Sequence, residues 1–100
     1  MFPKVQTKPQ RSKRAQWERE FAAAKKQVRE RSGGRCEYDG DDCDQAATEC
    51  HHKLPRSHPR ANDPDFLLDL CRYHHHDVIH ANPRKSYLQG WLLHWEDVPA

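Results

Sequence analysis

Seven of the chain's 8 histidines fall between His51 and His80, and its 4 cysteines, Cys36, Cys43, Cys50 and Cys71, lie in or just before that stretch. This cluster constrains the fold more than any other feature. A chain of 100 residues makes one domain at most and has trouble burying enough apolar surface to hold itself together. Only 35% of the residues are hydrophobic, 32% are charged and the mean hydropathy is −1.18. Domains in that position recruit a disulfide, a metal or a partner. The run Met1-Phe2-Pro3-Lys4 leads into no apolar segment, so no signal peptide and no membrane span is expected. The expected compartment is the cytoplasm (the host's, for a phage protein), where thiols stay reduced and serve metals more often than disulfides.

The net charge of +2 conceals an asymmetry. Residues 1–35 hold eleven Lys/Arg against three Asp/Glu, whereas residues 36–100 hold six against twelve. A basic N-terminal part beside an acidic, histidine-rich body suits a phosphate-seeking tail attached to a metal site. A solvated tail without a partner is the plainer alternative.

Residues 1–11 read as a disordered basic arm, followed by a single domain over 12–100. Ser12 is a candidate N-cap, and Trp17, Phe21, Ala24 and Val28 recur at helical spacing, which predicts a helix over about 13–31 ended by Ser32-Gly33-Gly34. Trp17 and Phe21 are expected to dock on the body rather than stack on bases. Cys36-Glu37-Tyr38 reads as the start of a strand, Asp39-Gly40-Asp41-Asp42 as a turn, and Ala46 to Leu54 as a second strand stopped by Pro55. Asp63-Pro64 opens a short apolar helical turn containing Phe66, Leu67 and Leu70. A further helix is expected from His74 to Ala81, before Asn82-Pro83, with an aromatic C-terminal segment packing on the core over about 35–83.

His51 and His52 lie near the end of the predicted second strand, where successive side chains face opposite ways. One can face a metal and the other a substrate. His76 and His80 are four apart, which on an α-helix aligns both imidazoles for one divalent ion.

These residues together resemble a known family. Cys36-x6-Cys43, Thr48-Glu49-Cys50-His51-His52-Lys53-Leu54-Pro55-Arg56-Ser57, Asp63-Pro64-Asp65, Leu70-Cys71 and His76-Asp77-Val78-Ile79-His80 look like an HNH endonuclease, most similar to the short phage-encoded kind, over roughly residues 34–95. The resemblance implies an α+β fold, a small ββα-metal core with an N-terminal helix and a structural zinc knuckle. It implies a catalytic divalent ion (Mg2+, Mn2+, Ni2+ or Zn2+) on His51, His76 and His80. His52 stands where the family has its general base, and a histidine suits that role near neutral pH. Arg56 and Lys53 are candidates to hold the DNA backbone, with Arg11, Lys13 and Arg14 as further phosphate contacts. The structural Zn2+ would take Cys36, Cys43 and Cys71, with His74 as fourth ligand by spacing from Cys71, or His75 by spacing back from His76. The family's relatives also imply a partnership with a phage terminase.

This chain departs from the family in two places. Phe66 occupies the position of the family's middle Asn, with Asn62 and Asp65 nearby as substitutes. Between Cys71 and His80 there is one residue more than in the commonest version, and it is a histidine. The expected function is therefore DNA phosphodiester hydrolysis by a one-metal, histidine-base mechanism. The alternative is a zinc-stabilised nucleic-acid-binding module whose cutting is impaired through Phe66. Cys50 reads as a buried small hydrophobe, and His58 and His94 as structural or solvent-facing. Asp77 is either a group that orients a ligand histidine or an exposed helix residue.

Overall fold

Ala22-Ala23-Ala24 followed by Lys25, Lys26 and Gln27 is a run of strong helix formers, and it sits in the middle of a long helix, α1 (Pro9–Ser32). The computed structural model describes residues 9–100, with side chains from position 12. Most of the expected arm lies outside the described residues, but residues 9–11 already form the first turn of α1. Pro suits that place because its missing N–H would be unpaired there anyway. Gly33 and Gly34 end the helix at φ 65° and 83°, a left-handed backbone open to glycine. Arg29 and Arg31 stand in the last turn, where cations oppose the helix dipole.

Two strands follow, β1 (Glu49–His52) and β2 (Leu67–Leu70), paired antiparallel with Glu49 opposite Leu70 and His52 opposite Leu67. This corrects the strand positions expected from the sequence. Residues 36–38 form no strand, and beside them there is only an isolated bridge between Arg35 and Ala46. That segment curls to bring Cys36 and Cys43 towards Cys71 and His74, and a curled chain cannot keep a ladder. The apolar turn expected behind Pro64 is one 3-10 turn, Pro64–Phe66, after which Leu67 is already extended at φ −121° and ψ 146°. Leu67 to Leu70 shows no polar alternation because both sheet faces are covered. Leu67 packs on Ala24 and Val28 of α1, while Leu70 joins Ile79 and Trp91 on the other side.

The Cys50 side chain packs with the α1 cluster, and Asp69 beside it is held by Arg29 through Nε–Oδ2 at 2.6 Å and Nη2–Oδ1 at 3.1 Å. Ser32 donates its hydroxyl to the same carboxylate at 2.7 Å. Arg31 clasps Glu37 and donates to the carbonyls of Pro64 and Leu67, tying the end of α1 to the start of β2.

After β2 the chain forms a π-helix, Tyr73–His80, whose wide turn is marked by Ala81 N–H donating to His76 O at 3.1 Å. Helix α2 (Pro83–Gln89) follows, closed by Gly90 at φ 79°. Trp91 then returns into the core at 4% exposure and donates its indole N–H to Asp39 at 2.6 Å. Among the described residues no helix is long and apolar enough to cross a membrane.

Candidate active site and metal centres

The buried core is small, and two of its members, Cys36 and Cys71, are not mere fillers. With Cys43 and His74 they form a group whose donor atoms lie within 4.8 Å of one another. Cys36 Sγ is 3.6 Å and Cys71 Sγ 3.3 Å from His74 Nδ1, and Cys43 Sγ is 4.0 Å from Cys71 Sγ. Tetrahedral zinc, with Zn–S about 2.3 Å and Zn–N about 2.0–2.1 Å, separates its ligands by roughly 3.5–3.8 Å. The group can hold a metal ion such as zinc. All four cysteines are free thiols.

The surroundings act on the donors in both directions. Burial pushes the Cys36 thiol up to about 11, while backbone N–H groups of Cys71 and Tyr38 favour its thiolate. His74 lies flat on Tyr38, ring centroids 4.1 Å apart, and its Nε2 stands 3.5 Å from the Asp41 carboxylate. A carboxylate on the outer nitrogen fixes the imidazole and makes its Nδ1 a better ligand. The expected choice of His74 over His75 agrees with this placement.

A second group, His51, His75 and His80, lies on the opposite side of β1 from α1. His51 is 1% exposed, and its Nε2 stands 2.7 Å from the carbonyl of Trp91. A carbonyl only accepts, so Nε2 carries the proton and Nδ1 keeps its lone pair. Burial pushes this imidazole down to about 4, so it is neutral, the form that ligates metals. His75 donates Nδ1–H to Glu49 at 2.6 Å, leaving Nε2 for a ligand, and that atom is 3.1 Å from His80 Nε2. Two nitrogens bound to one ion at about 2.0–2.1 Å lie roughly 2.9–3.4 Å apart. One such pair is thus at ligand spacing, and the three donors lie within 4.8 Å of one another, close enough to hold a metal ion.

The expected trio of His51, His76 and His80 is therefore not the one brought together. His76 turns to the outside and donates Nε2–H to Glu49 at 2.7 Å. The cause is the π-helix. In that wide turn, with its i→i+5 bonding, His75 Nε2 reaches 3.1 Å from His80 Nε2, while the His76 ring centre stands 6.3 Å from that of His80.

Chemistry across the strand is different. His52 faces α1, with its ring 4.6 Å from Phe21 and 5.7 Å from Trp17. Asn62 donates its amide N–H to the carbonyl of Trp17 at 3.3 Å, which directs Oδ1 at His52 Nε2, 2.9 Å away. His52 thus donates through Nε2 and keeps a lone pair on Nδ1. Burial lowers its pKa, against the pull of Asn62. Asn62, not Asp65, makes this bond, although Phe66 fills the expected position. Asp65 instead donates its backbone N–H to Asp63.

No protein-family model, curated protein or solved structure matches the chain.

His51, His52, Arg56, His75, His76 and His80 line one cavity of about 310 Å3. Arg56 is exposed beside it, its guanidinium 5.5 Å from the Trp17 ring centre and 6.0 Å from that of Phe21. Lys53 is half-buried, and its backbone carbonyl accepts from Leu93 at 2.8 Å. Lys13 and Arg14 are exposed on the first half of α1, with Arg14 Nε 3.7 Å from Glu18. The side chain of Arg11 lies outside the described residues. Glu49 is the residue that sequence reasoning misses. It stands two positions before His51, hence on the same strand face, and that parity is the available signal. Asp77 is exposed and makes none of these contacts. His58 is structural, donating Nε2–H to Val98 O at 2.9 Å and accepting from the Arg60 amide at 3.0 Å.

Proposed function

We propose that this chain is a metal-dependent DNA endonuclease of the HNH kind, hydrolysing phosphodiester bonds with His52 as general base. One observation carries the reading. Adjacent strand residues present a metal-competent imidazole, His51 with His75 and His80, and a neutral, oriented imidazole, His52, to the same cavity beside an exposed arginine.

In this reading His52 accepts a proton from the attacking water at Nδ1, while Asn62 holds the ring by its other nitrogen. A half-buried imidazole that stays neutral at physiological pH is ready for that proton without prior deprotonation. Arg56 binds non-bridging phosphate oxygens, its planar fork suiting two of them at once. Lys53 neutralises a neighbouring phosphate, with Lys13 and Arg14 further along α1. Trp91 and Glu49 keep His51 and His75 in their ligating tautomers. A divalent ion held by His51, His75 and His80 would supply Lewis-acid stabilisation of the charge on the phosphate and leaving oxygen. Three imidazoles suit Zn2+ or Ni2+ better than Mg2+ or Mn2+, which prefer oxygen donors. The Cys3His group would be the structural zinc of the same protein.

Supercoiled-plasmid nicking with each of these four ions tests the proposal. The wild type should nick with Ni2+ or Zn2+, and His52→Ala should lose about 10²–10⁴-fold in rate, the usual share of a general base. An intact plasmid under all four ions, or equal rates for the two proteins, would refute it.

A further inference from the structure

Beside the histidine cavity lies a second and larger one, about 560 Å3, lined by Phe21, Lys25, Lys26, Arg29 and Arg56 of the basic side and floored by Cys50 and Asp69. Cys50 and Arg56 line both cavities, so the two adjoin. The floor carries no free negative charge, because the Asp69 carboxylate is buried, doubly bonded by Arg29 and bonded again by Ser32. Lys25, Lys26 and Arg56, in contrast, make no ion pair among the described residues. Two of these cations are held over aromatic rings. Lys25 Nζ sits 4.6 Å from the Phe21 ring centre, and Arg56 shares Phe21 and Trp17. Such contacts fix a cation without satisfying its N–H donors. Three uncompensated cations on a concave wall, leading into a hydrolytic cavity through a shared arginine, fit a polyanion that continues past the reacting phosphate.

We propose that this groove is the seat of the DNA backbone flanking the scissile phosphate, with Lys25 and Lys26 as its phosphate-binding residues and Arg56 as the hinge between groove and cavity. The inference rests on the nucleic-acid reading above. It moves the main phosphate contact from the start of α1 to its C-terminal half, where the helix meets the sheet. The recognition is of backbone charge rather than base sequence, which cations on a groove wall supply.

The test uses the full zinc-loaded chain carrying His52→Ala, so that binding is measured without cutting. Fluorescence anisotropy of a short labelled DNA duplex is followed across a salt series. Adding Lys25→Ala and Lys26→Ala should flatten the log–log salt dependence by about 1.8, at about 0.9 for each phosphate no longer neutralised, and weaken binding about tenfold at moderate salt. Lys13→Ala with Arg14→Ala should change the slope less. Both pairs lie at exposed helix positions where Ala is favourable, so folding is preserved. An unchanged slope in the Lys25/Lys26 variant, or a larger change in the Lys13/Arg14 variant, would overturn the groove. Tighter binding of the matching RNA duplex, abolished in the same variant, would overturn the assignment to DNA. These outcomes separate from failure of the nuclease reading: a wild type that binds through Lys25 and Lys26 but never nicks keeps the groove and loses the enzyme.

Discussion

His75 and His76 are neighbours in sequence with opposite duties. His75 places Nε2 3.1 Å from His80 Nε2, whereas His76 spends its Nε2 on Glu49. Removing His75 takes a ligand from the group, while removing His76 takes only a partner from Glu49. Calorimetric titration with Ni2+ of the zinc-loaded protein should therefore show the cavity site abolished in His75→Ala and retained within a few-fold in His76→Ala. Glu49→Gln should weaken the same site about 10–100-fold, the usual effect of removing an outer partner of a ligand histidine. At this scale the sequence is mostly legible. Cys36, Cys43, Cys71 and His74 stand out by their spacing and by the family resemblance, as do His51 and His80. The partners that orient them do not, because Glu49, Asn62 and the Trp91 carbonyl act through contacts across 10 to 40 residues.

Elements are harder to place. The i, i+4 spacing of His76 and His80 assumes an α-helix, and nothing in Tyr73–His80 announces a π turn. The spacing therefore points to His76, whereas the fold brings His75 beside His51 and His80. Deleting the exposed Asp77 tests this directly. The deletion would leave His75 and His80 four positions apart in an ordinary α-helix, still on one face. Ni2+ affinity should survive in that variant, and its disappearance in a protein still folded by circular dichroism would show that the ligands need the wide turn and that four-residue α spacing does not replace it. Strand β2 reads as a helical turn for a similar reason. Its Asp69 looks polar and solvent-facing until Arg29, forty positions away, is folded against it.

For the whole molecule the question is what replaces a large core. The buried apolar side chains split into one cluster under α1 and one around Ile79, Leu70 and Trp91, and the second contains two of the Cys3His donors. A metal bound there links the loop over residues 36–43 to the π-helix, joining segments that no long ladder connects. Chelation should therefore unfold more than a local loop. After removal of zinc, the melting temperature should fall by tens of degrees or the transition should lose its cooperativity, as in small domains whose metal binding supplies folding free energy. A cooperative transition at unchanged temperature after verified zinc removal would mean the cysteines are only packed. That so small a core calls for a further brace is legible from composition at the outset, and the Cys3His group could supply one by holding a metal ion. The separation of the two candidate groups is not legible, since it depends on which face of β1 each histidine takes.

The decisive measurement is the initial rate of plasmid nicking by His75→Ala and His76→Ala, taken with Ni2+ at equal zinc content. A cavity ion held by His51, His75 and His80 requires the first variant to be inactive and the second to nick at nearly the wild-type rate. Equal rates, or an inactive His76→Ala beside an active His75→Ala, would contradict that ligand set and the nuclease built on it.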